Sequence, residues 1–252
     1  MADNISVTIL TKNSAATLVE CLTALEAFSE VVIVDTGSND GTISIASGFK
    51  NVIVYEHPFI GFGPMKNFAV DRAANEWILS VDSDEVVTPK LVHEILTLKL
   101  DVNMVYKMER DNYYHRKLIR GCGWENDQVE RLFNKRSTRY NDNQVHEGLA
   151  IDGNLKTVLL SGRLKHYPYD NASQLLYKMQ HYSTLWAEDQ RGRKKSSPLK
   201  AMLYGVLTFL KSYLFKRGWR YGYEGLLISV SNANGVFYKY IKLYEADREH
   251  RL

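Results

Sequence analysis

The sequence predicts an α/β fold built on a mostly parallel sheet. Short segments rich in valine and isoleucine recur through the first third of the chain, and they alternate with segments whose apolar residues have helical spacing. Strands that alternate with helices in this way are typical of βαβ units. Polar residues follow the strands directly, as ligand-binding loops do at the carboxyl ends of parallel strands.

The N-terminal part is predicted to run strand, helix, strand, strand, helix, strand. The predicted strands cover residues 5–10, 31–34, 52–55 and 78–81, and the second helix covers residues 65–74. Ser14 is predicted to cap the first helix, because serine is a preferred residue at that position. Further strands are expected at residues 104–108 and 130–134.

Composition is that of an ordinary folded protein, with 252 residues, 45% hydrophobic and 24% charged. The two cysteines, Cys21 and Cys122, indicate no disulfide framework and fit a reducing compartment. The N-terminus has neither a basic region nor a long apolar run, so no signal peptide is expected. No apolar stretch reaches the roughly 18 residues that a spanning helix needs.

Two carboxylates, Asp82 and Asp84, follow the strand at residues 78–81 with one residue between them. They are therefore expected at the edge of the sheet where ligands bind. Hard oxygen ligands suit Mg²⁺ or Mn²⁺, with waters and substrate phosphates completing the coordination shell. The alternative is a solvated turn after a strand.

The loop at residues 35–42 has the sequence Asp-Thr-Gly-Ser-Asn-Asp-Gly-Thr. Its first residue, Asp35, is placed to accept hydrogen bonds from a ring N–H or from ribose hydroxyls, as the acid does in dinucleotide-binding folds. The alternative is a plain turn in which Asn39 or Asp40 caps the next helix.

These two loops, with Lys66 and Asn67 between them in the chain, resemble the nucleotide-sugar half of family 2, GT-A fold glycosyltransferases. Three further stretches resemble a narrower group, the bacterial glucosyltransferases of lipopolysaccharide inner-core synthesis (WaaE/KdtX and LgtF-like proteins). They are Gly123-Trp124, Arg131-Leu132-Phe133-Asn134 and Val145-His146-Glu147. The resemblance covers nearly the whole chain and is strongest over residues 5–170.

The resemblance implies a GT-A (Rossmann-like) catalytic domain over residues 1–170, with a nucleotide-sugar half over about 1–100 and an acceptor half over about 101–170. It also implies inverting transfer of a hexose, by preference glucose, from a UDP-sugar to an inner-core heptose of a lipid A-linked oligosaccharide. Asp84 would hold the Mg²⁺ or Mn²⁺, His166 would be a further metal ligand, and Asp82 would touch the ribose or bind the metal through water. The uridine and diphosphate would be held by Thr11, Asp35 and Lys66.

The attacking hydroxyl needs a base within hydrogen-bond reach, and two carboxylates compete for that role, Glu147 and Asp127. Inverting members of this fold often place the base after such a strand and turn, which favours Glu147. His146 would orient the acid or approach the metal, or serve only as a structural hydrogen-bonding residue. Trp124 would stack on an acceptor sugar ring, or pack in the core or at its rim. Asn67 is expected to hold its loop through bonds to backbone.

Residues 171–252 are predicted to form a helical, basic and aromatic extension. Nine basic residues and no acid lie in residues 191–220, interleaved with tyrosine, phenylalanine and tryptophan. Such a region favours contact with an anionic membrane surface, and hence a cytoplasmic protein peripheral on the inner face of the cytoplasmic membrane. The alternatives are a packed helical subdomain or a dimer interface. Nucleic acid is not expected, because no binding motif accompanies the basic residues.

Three functional alternatives stay open at this point. The same fold could act on a polyprenyl phosphate or on a protein side chain, or the chain could be a nucleotide-binding regulator without turnover. The presence of Asp82, Asp84 and Glu147 argues against the regulator. The sequence leaves glucose against galactose, and the oligomeric state, undecided.

Overall fold

The computed structural model describes residues 2–141 and 147–249. The chain divides into two compact units. The first unit comprises residues 1–111 and 126–166, and the second comprises residues 112–125 and 167–252. The domain limits inferred from the sequence stay a prediction.

The described residues form nine strands and seven α-helices. The strands are β1 Ala2–Thr11, β2 Phe28–Asp35, β3 Val52–Glu56, β4 Trp77–Asp82, β5 Glu85–Val87, β6 Met104–Tyr114, β7 Lys117–Leu118, β8 Asp127–Asn134 and β9 Lys156–Tyr169. The α-helices are α1 Ala15–Thr23, α2 Thr42–Ala46, α3 Phe62–Arg72, α4 Pro89–Thr97, α5 Ala172–Gln190, α6 Pro198–Leu210 and α7 Gly222–Glu249. A π-helical segment, Lys211–Phe215, and a 3₁₀ turn, Gly218–Tyr221, separate α6 from α7.

The strand order is β3-β2-β1-β4-β8-β6-β9-β5, and β7 pairs with β6. The first four strands in this order are parallel, whereas β8 runs antiparallel to β4 and β5 antiparallel to β9. The predicted α/β fold with a mixed, mostly parallel sheet and C-terminal helices is therefore confirmed. The register sets Thr11 opposite Asp35 and Leu10 opposite Asp82, so the polar ends of β1, β2 and β4 meet at one edge.

The core of the first unit lies around the parallel strands. In β2 the four residues Val31 to Val34 are fully buried, on both faces of the sheet. Strands covered on both faces have continuous apolar sequences, which is why this segment shows no alternation. Burying each such side chain stabilises the fold by about 1.5–3 kcal/mol. From one side Leu18, Cys21 and Leu22 of α1 complete this layer.

Helix α3 begins earlier than predicted, at Phe62 and not at residue 65. Gly63 and Pro64 are residues that usually interrupt a helix, yet here they lie in the first turn of α3. Proline is tolerated there, because the first backbone N–H groups of a helix have no partner within the helix. Within α3, Met65 and Lys66 are buried.

The second unit is built on α5, α6 and α7. Helix α6 packs closely on α7 through its small residues Ala201 and Gly205, both of which are buried. A Cβ atom on Gly205 would lie 3.4 Å from the carbonyl oxygen of Ala233 and 3.4 Å from Cβ of Phe237. The glycine therefore sets how near the two helices approach. A smaller cluster around Ile119, Cys122 and Ile228 completes the core of this unit.

Candidate active site

Asp35 anchors the turn that follows β2. Its carboxylate is fully buried and accepts hydrogen bonds from Thr11 Oγ1 at 2.9 Å, from the Gly37 amide at 2.9 Å and from the Ser38 amide at 2.8 Å. Gly37 has φ of +97°, a left-handed conformation that favours glycine and turns both amides toward the acid. Burial alone would raise the pKa of Asp35, but the hydrogen bonds from Ser38, Thr11 and Gly37 outweigh it and lower that pKa. The turn is therefore held rigid at the strand end.

The loop between Asp82 and Asp84 is fixed by the start of α1. Ser14 makes no side-chain capping bond, contrary to prediction. Its hydroxyl lies 2.8 Å from Ser83 Oγ, and Thr17 Oγ1 donates to the Ser83 carbonyl oxygen at 2.8 Å. Ser14 serves the loop and not the helix end, because parallel pairing of β1 and β4 brings these two strand ends together.

Asp82 forms ion pairs with two cationic side chains. Lys66 Nζ donates to its Oδ1 at 3.1 Å, and Arg131 donates to its Oδ2. Burial alone would raise the pKa of Asp82, but the charges of Arg131 and Lys66 outweigh burial and hold it well below its usual range. The same attraction raises the pKa of Lys66 against the lowering effect of burial. All three groups are therefore charged at neutral pH.

A second carboxylate, Glu85, extends this network into the interior. It is fully buried, and its Oε1 accepts from Arg131 at 2.5 Å and from Arg110 at 3.2 Å. Its Oε2 accepts the backbone N–H of Asp82 at 3.1 Å. Arg110 also holds both carboxylate oxygens of Asp127 in a fork, at 2.9 and 3.0 Å. One continuous chain of charge-assisted bonds thus joins β4, β5, β6 and β8.

Glu147 joins the network through Lys66, whose Nζ lies 3.1 Å from Glu147 Oε1. Lys66 also lies over the ring of Tyr140, 5.2 Å from its centroid. Asn67 bonds both backbone groups of Tyr140, donating to its carbonyl oxygen at 2.9 Å and accepting its N–H at 3.1 Å. Asn67 therefore makes side-chain bonds to backbone as predicted, but to a segment 73 residues away and not to its own loop. His146 lies outside the described residues.

Asp84 and His166 lie side by side, with Nε2 of the histidine 3.6 Å from Asp84 Oδ2. The antiparallel register of β5 and β9 produces this pair, because it sets His166 opposite Glu85. Among residues 2–141 and 147–249 no group of three or more His, Cys, Asp or Glu side chains is arranged to hold a metal ion. The arrangement supplies one carboxylate and one imidazole.

Trp124 belongs to the second unit. Its ring stacks on that of Tyr169 with centroids 5.7 Å apart and an angle of 28° between the planes. Its carbonyl oxygen accepts from Asn112 Nδ2 at 3.1 Å. Part of the indole is exposed within this unit.

The structure brings most of the predicted site residues of the first unit together. Those that share direct contacts are Thr11 with Asp35, Asp84 with His166, and Lys66 with both Asp82 and Glu147. Sequence reasoning gave no role to Glu85, Arg110 and Arg131. One feature of the sequence could have indicated these residues, namely a charged residue next to an apolar segment. Arg131 precedes Leu132-Phe133 in this way, and Glu85 precedes Val86-Val87.

Replacing Arg131 by methionine is expected to destabilise the fold by about 3–5 kcal/mol, because Glu85 and Asp82 lose their shared counter-ion. Urea denaturation measures the loss. The difference from wild type should shrink in acid: Asp82 has a lowered folded pKa, so its stabilisation is present above about pH 4 and lost as the pH falls through that folded value.

The matched control is Arg163→Met. Arg163 also pairs with two carboxylates, those of Glu109 and Asp111, but its side chain is 35% exposed. Half-exposed ion pairs contribute up to about 1 kcal/mol. Equal destabilisation by the two substitutions would show that burial of the Arg131 network carries no special weight.

The sequence signature described as "Glycosyl transferase family 2" matches residues 6–150, which is more than half of the chain. The chain therefore belongs to glycosyl transferase family 2, as its motifs predicted.

Two curated relatives match along almost their whole length. One is "Lipopolysaccharide core biosynthesis glycosyltransferase LpsC" of Rhizobium meliloti (strain 1021), 29% identical over 96% of this chain and 92% of that protein. Another is an uncharacterized glycosyltransferase of Rickettsia prowazekii, 28% identical over 95% of this chain and 86% of that protein.

Among solved structures, S. aureus TarS 1–349 in complex with UDP is similar over 98% of this chain and 91% of that chain, with 16% identity and a TM-score of 0.50. At that identity the likeness concerns the fold, and it agrees with the GT-A architecture predicted from the motifs.

Proposed function

We propose that this protein is an inverting hexosyltransferase that moves a hexose, by preference glucose, from a UDP-sugar to a hydroxyl of a lipopolysaccharide inner-core heptose. The observation that carries the proposal is the network in which Lys66 joins Asp82 to Glu147 beside the ends of the parallel strands. The UDP bound in TarS supports the donor class, and the name of the Rhizobium relative supports the acceptor class.

The nucleotide is proposed to lie against the turn after β2, with Thr11 and Asp35 at its base. The Asp35 carboxylate already accepts hydrogen bonds from three neighbouring residues, Thr11, Gly37 and Ser38. Its main contribution to nucleotide binding is therefore to keep the turn rigid. A preorganised turn lowers the cost of binding, because its backbone is already ordered before the ligand arrives.

The charge of the site favours a divalent cation. Five carboxylates, those of Asp82, Asp84, Glu85, Asp127 and Glu147, meet three cations, Lys66, Arg110 and Arg131. Two negative charges remain unbalanced, and a diphosphate adds more of the same sign. A donor of this kind therefore needs further positive charge in order to bind.

Asp84 and His166 fit such an ion, since an oxygen and an imidazole nitrogen lie 3.6 Å apart. They would hold Mg²⁺ or Mn²⁺, with Asp82 contributing through water and the remaining positions going to waters and phosphate oxygens. When bound, the cation offsets the charge that develops on the leaving diphosphate. Lys66 and Arg131 hold Asp82 ionised at this position.

Glu147 is the better candidate for the base. Arg110 occupies both oxygens of Asp127, whereas the ion pair of Glu147 with Lys66 is made through one oxygen, Oε1. In the reaction the acceptor oxygen forms a bond to C1 of the hexose as the bond from C1 to the diphosphate oxygen breaks. The electron pair of that bond leaves with the diphosphate, and the hydroxyl proton passes to Glu147.

A transfer assay tests the proposal. UDP-glucose, UDP-galactose and GDP-mannose are each incubated with the protein and with a purified inner-core acceptor, and mass spectrometry reads the acceptor. We expect the acceptor to gain one hexose with a UDP-sugar. A gain on polyprenyl phosphate or on protein alone would move the acceptor assignment to those alternatives, and no gain on any of them would favour the non-catalytic regulator.

The second unit is proposed to lie on the anionic inner face of the cytoplasmic membrane. One face of α6 exposes an apolar stripe, each member of which is 38–70% exposed: Leu199, Met202, Leu203, Val206, Leu207 and Leu210. Its opposite face packs on α7 through Ala201 and Gly205. Basic residues at 200, 211, 216, 217 and 220 adjoin the stripe in sequence, which suits an interfacial helix. None of the helices described here is long and apolar enough to cross a bilayer.

Replacing both Leu203 and Leu207 by serine is expected to weaken binding to anionic vesicles by about tenfold or more. Each buried leucine contributes about 1.5–3 kcal/mol, and about 1.4 kcal/mol is tenfold in affinity. Vesicle sedimentation measures the change, beside a melting curve. Val19→Ser is the control, because Val19 is 51% exposed in the first unit. Unchanged sedimentation of the double variant rules out the stripe as the contact.

A further inference from the structure

The helical unit has an open cavity of about 550 Å³, separate from the carboxylates and lysine of the proposed transfer site. One face of α5 lines it with residues 178, 179, 182 and 183, and one face of α7 lines it with residues 231, 232, 235, 236 and 239. This spacing of three and four residues puts all of them on the facing sides of the two helices. The loop at 122–124, Tyr169 and the segment after α6 also line it.

The cavity is basic. Four lysines line it, Lys178, Lys211, Lys216 and Lys239, and no aspartate or glutamate does. Lys216 forms an ion pair with Glu125, but in the part of the chain that the structure describes no carboxylate pairs with the other three. Burial lowers the pKa of Lys239. Lys178 and Lys239 are partly buried whereas Lys211 is exposed, and partly buried cations without a carboxylate counter-ion favour the binding of an anion.

Rings and small polar groups share the same wall. Trp124, stacked on Tyr169, lines the cavity together with Tyr182. Ser231 lies among them, and so does Ser183, whose hydroxyl already donates to the Gln180 carbonyl oxygen at 2.9 Å and accepts from Lys242 Nζ at 2.7 Å. Aromatic faces suit the apolar faces of a sugar ring, and hydroxyls suit its polar edge. The lining therefore offers contacts for more than a bare anion.

The π-helical segment after α6 contributes Lys211 and Ser212 to this wall. A π-helical turn is rare and occurs frequently at functional sites, because the extra residue re-aims side chains that a regular helix would point elsewhere. Ser212 is fixed by bonds to the Cys122 carbonyl oxygen at 3.1 Å and to Ser229 Oγ at 3.0 Å. The irregular turn is thus anchored at the cavity.

We propose that this cavity binds a phosphorylated sugar, with Lys178, Lys211 and Lys239 facing the phosphate and the ring of Trp124 facing the sugar. Lysine binds phosphate as a compact charge with several donors. The phosphate is carried by a sugar, whether that sugar is free or part of a lipid headgroup. This assignment goes beyond the proposed transferase function and does not depend on the donor site.

Calorimetry with saturating UDP present, so that the donor site is filled, tests the cavity. The probes are glucose 6-phosphate, glucose, inorganic phosphate and dihexanoyl phosphatidylglycerol below its micelle concentration. Glucose 6-phosphate should bind about tenfold or more tightly than glucose or phosphate, since both halves contribute. Tighter binding of the phospholipid would instead assign the cavity to a lipid phosphate without sugar and overturn the proposal.

The double variant Lys178→Gln/Lys239→Gln should bind glucose 6-phosphate about tenfold or more weakly, and Lys195→Gln, an exposed lysine outside the cavity, should bind it normally. Trp124→Leu should weaken the binding of glucose 6-phosphate and leave the binding of inorganic phosphate unchanged. Melting curves confirm that the variants are folded. No saturable binding to wild type, or equal loss with Lys195→Gln, would overturn the assignment.

Discussion

Glu147→Gln is expected to lower kcat by about 10²-fold or more, which is the scale for losing a general base, while the affinity for the UDP-sugar changes little. The substitution keeps an oxygen for Lys66, which lies 3.1 Å from Glu147 Oε1, so the surrounding network should survive. Steady-state kinetics with a saturating donor measure kcat, and calorimetry with UDP measures donor binding.

Asp127→Asn is the matched control. It removes the charge of the competing carboxylate and weakens the fork with Arg110, yet it leaves Glu147 in place. A small loss of kcat is expected. An inactive Asp127→Asn beside a nearly normal Glu147→Gln would transfer the role of base to Asp127.

Asp84→Ala is expected to abolish transfer, and EDTA is expected to do the same reversibly to the wild type. Asp84 carries a carboxylate beside His166, and it is the acid of the loop that is not bonded to Lys66 or Arg131. Hard cations bind through such oxygens together with phosphate oxygens and water. Transfer assays before and after adding back Mn²⁺ measure the effect.

Asp71→Ala serves as the control for Asp84→Ala, since Asp71 is an exposed acid of the same unit paired with Arg139. It should keep full activity. Full activity of the wild type in EDTA would end the metal-dependent interpretation, and the Asp84 result would then need another cause.

The sheet could be predicted because the sequence of each strand is distinctive by itself. The buried stretch of β2, Val31 to Val34, is apolar throughout, and the acids in which β2 and β4 end, Asp35 and Asp82, mark the strand ends. Parallel pairing then brings Thr11 and Asp35 together without further information. The start of α3 was predicted too late, but the error affects only the first turn of that helix.

The charge network was beyond the reach of sequence reasoning. Arg131 pairs with Asp82 across 49 residues and with Glu85 across 46 residues. A single sequence gives the types of these residues but not which distant charges meet, because that depends on the antiparallel register of β4 with β8. The grouping of residues 112–125 with the C-terminal helices likewise depends on long-range contacts, such as the bond from the Arg120 backbone N–H to the Tyr221 hydroxyl across 101 residues.

The π-helical segment at Lys211–Phe215 also had no sequence signal, since its residues continue the apolar pattern of α6. Only packing reveals it: Ser212, within this segment, is buried and donates to the Cys122 carbonyl oxygen, 90 residues away in the sequence. Local irregularities of this kind follow from tertiary contacts, whereas propensities describe isolated segments.

The central claim is a single displacement on a UDP-sugar with a carboxylate as base, and the anomeric configuration of the product tests it most directly. UDP-glucose carries an α bond, and attack from the opposite face inverts it. Wild-type protein, UDP-glucose and an inner-core acceptor are incubated together, and NMR coupling constants of the isolated product report the new linkage. We predict a β-linked glucose. An α-linked glucose, or no transferred sugar, would contradict the claim.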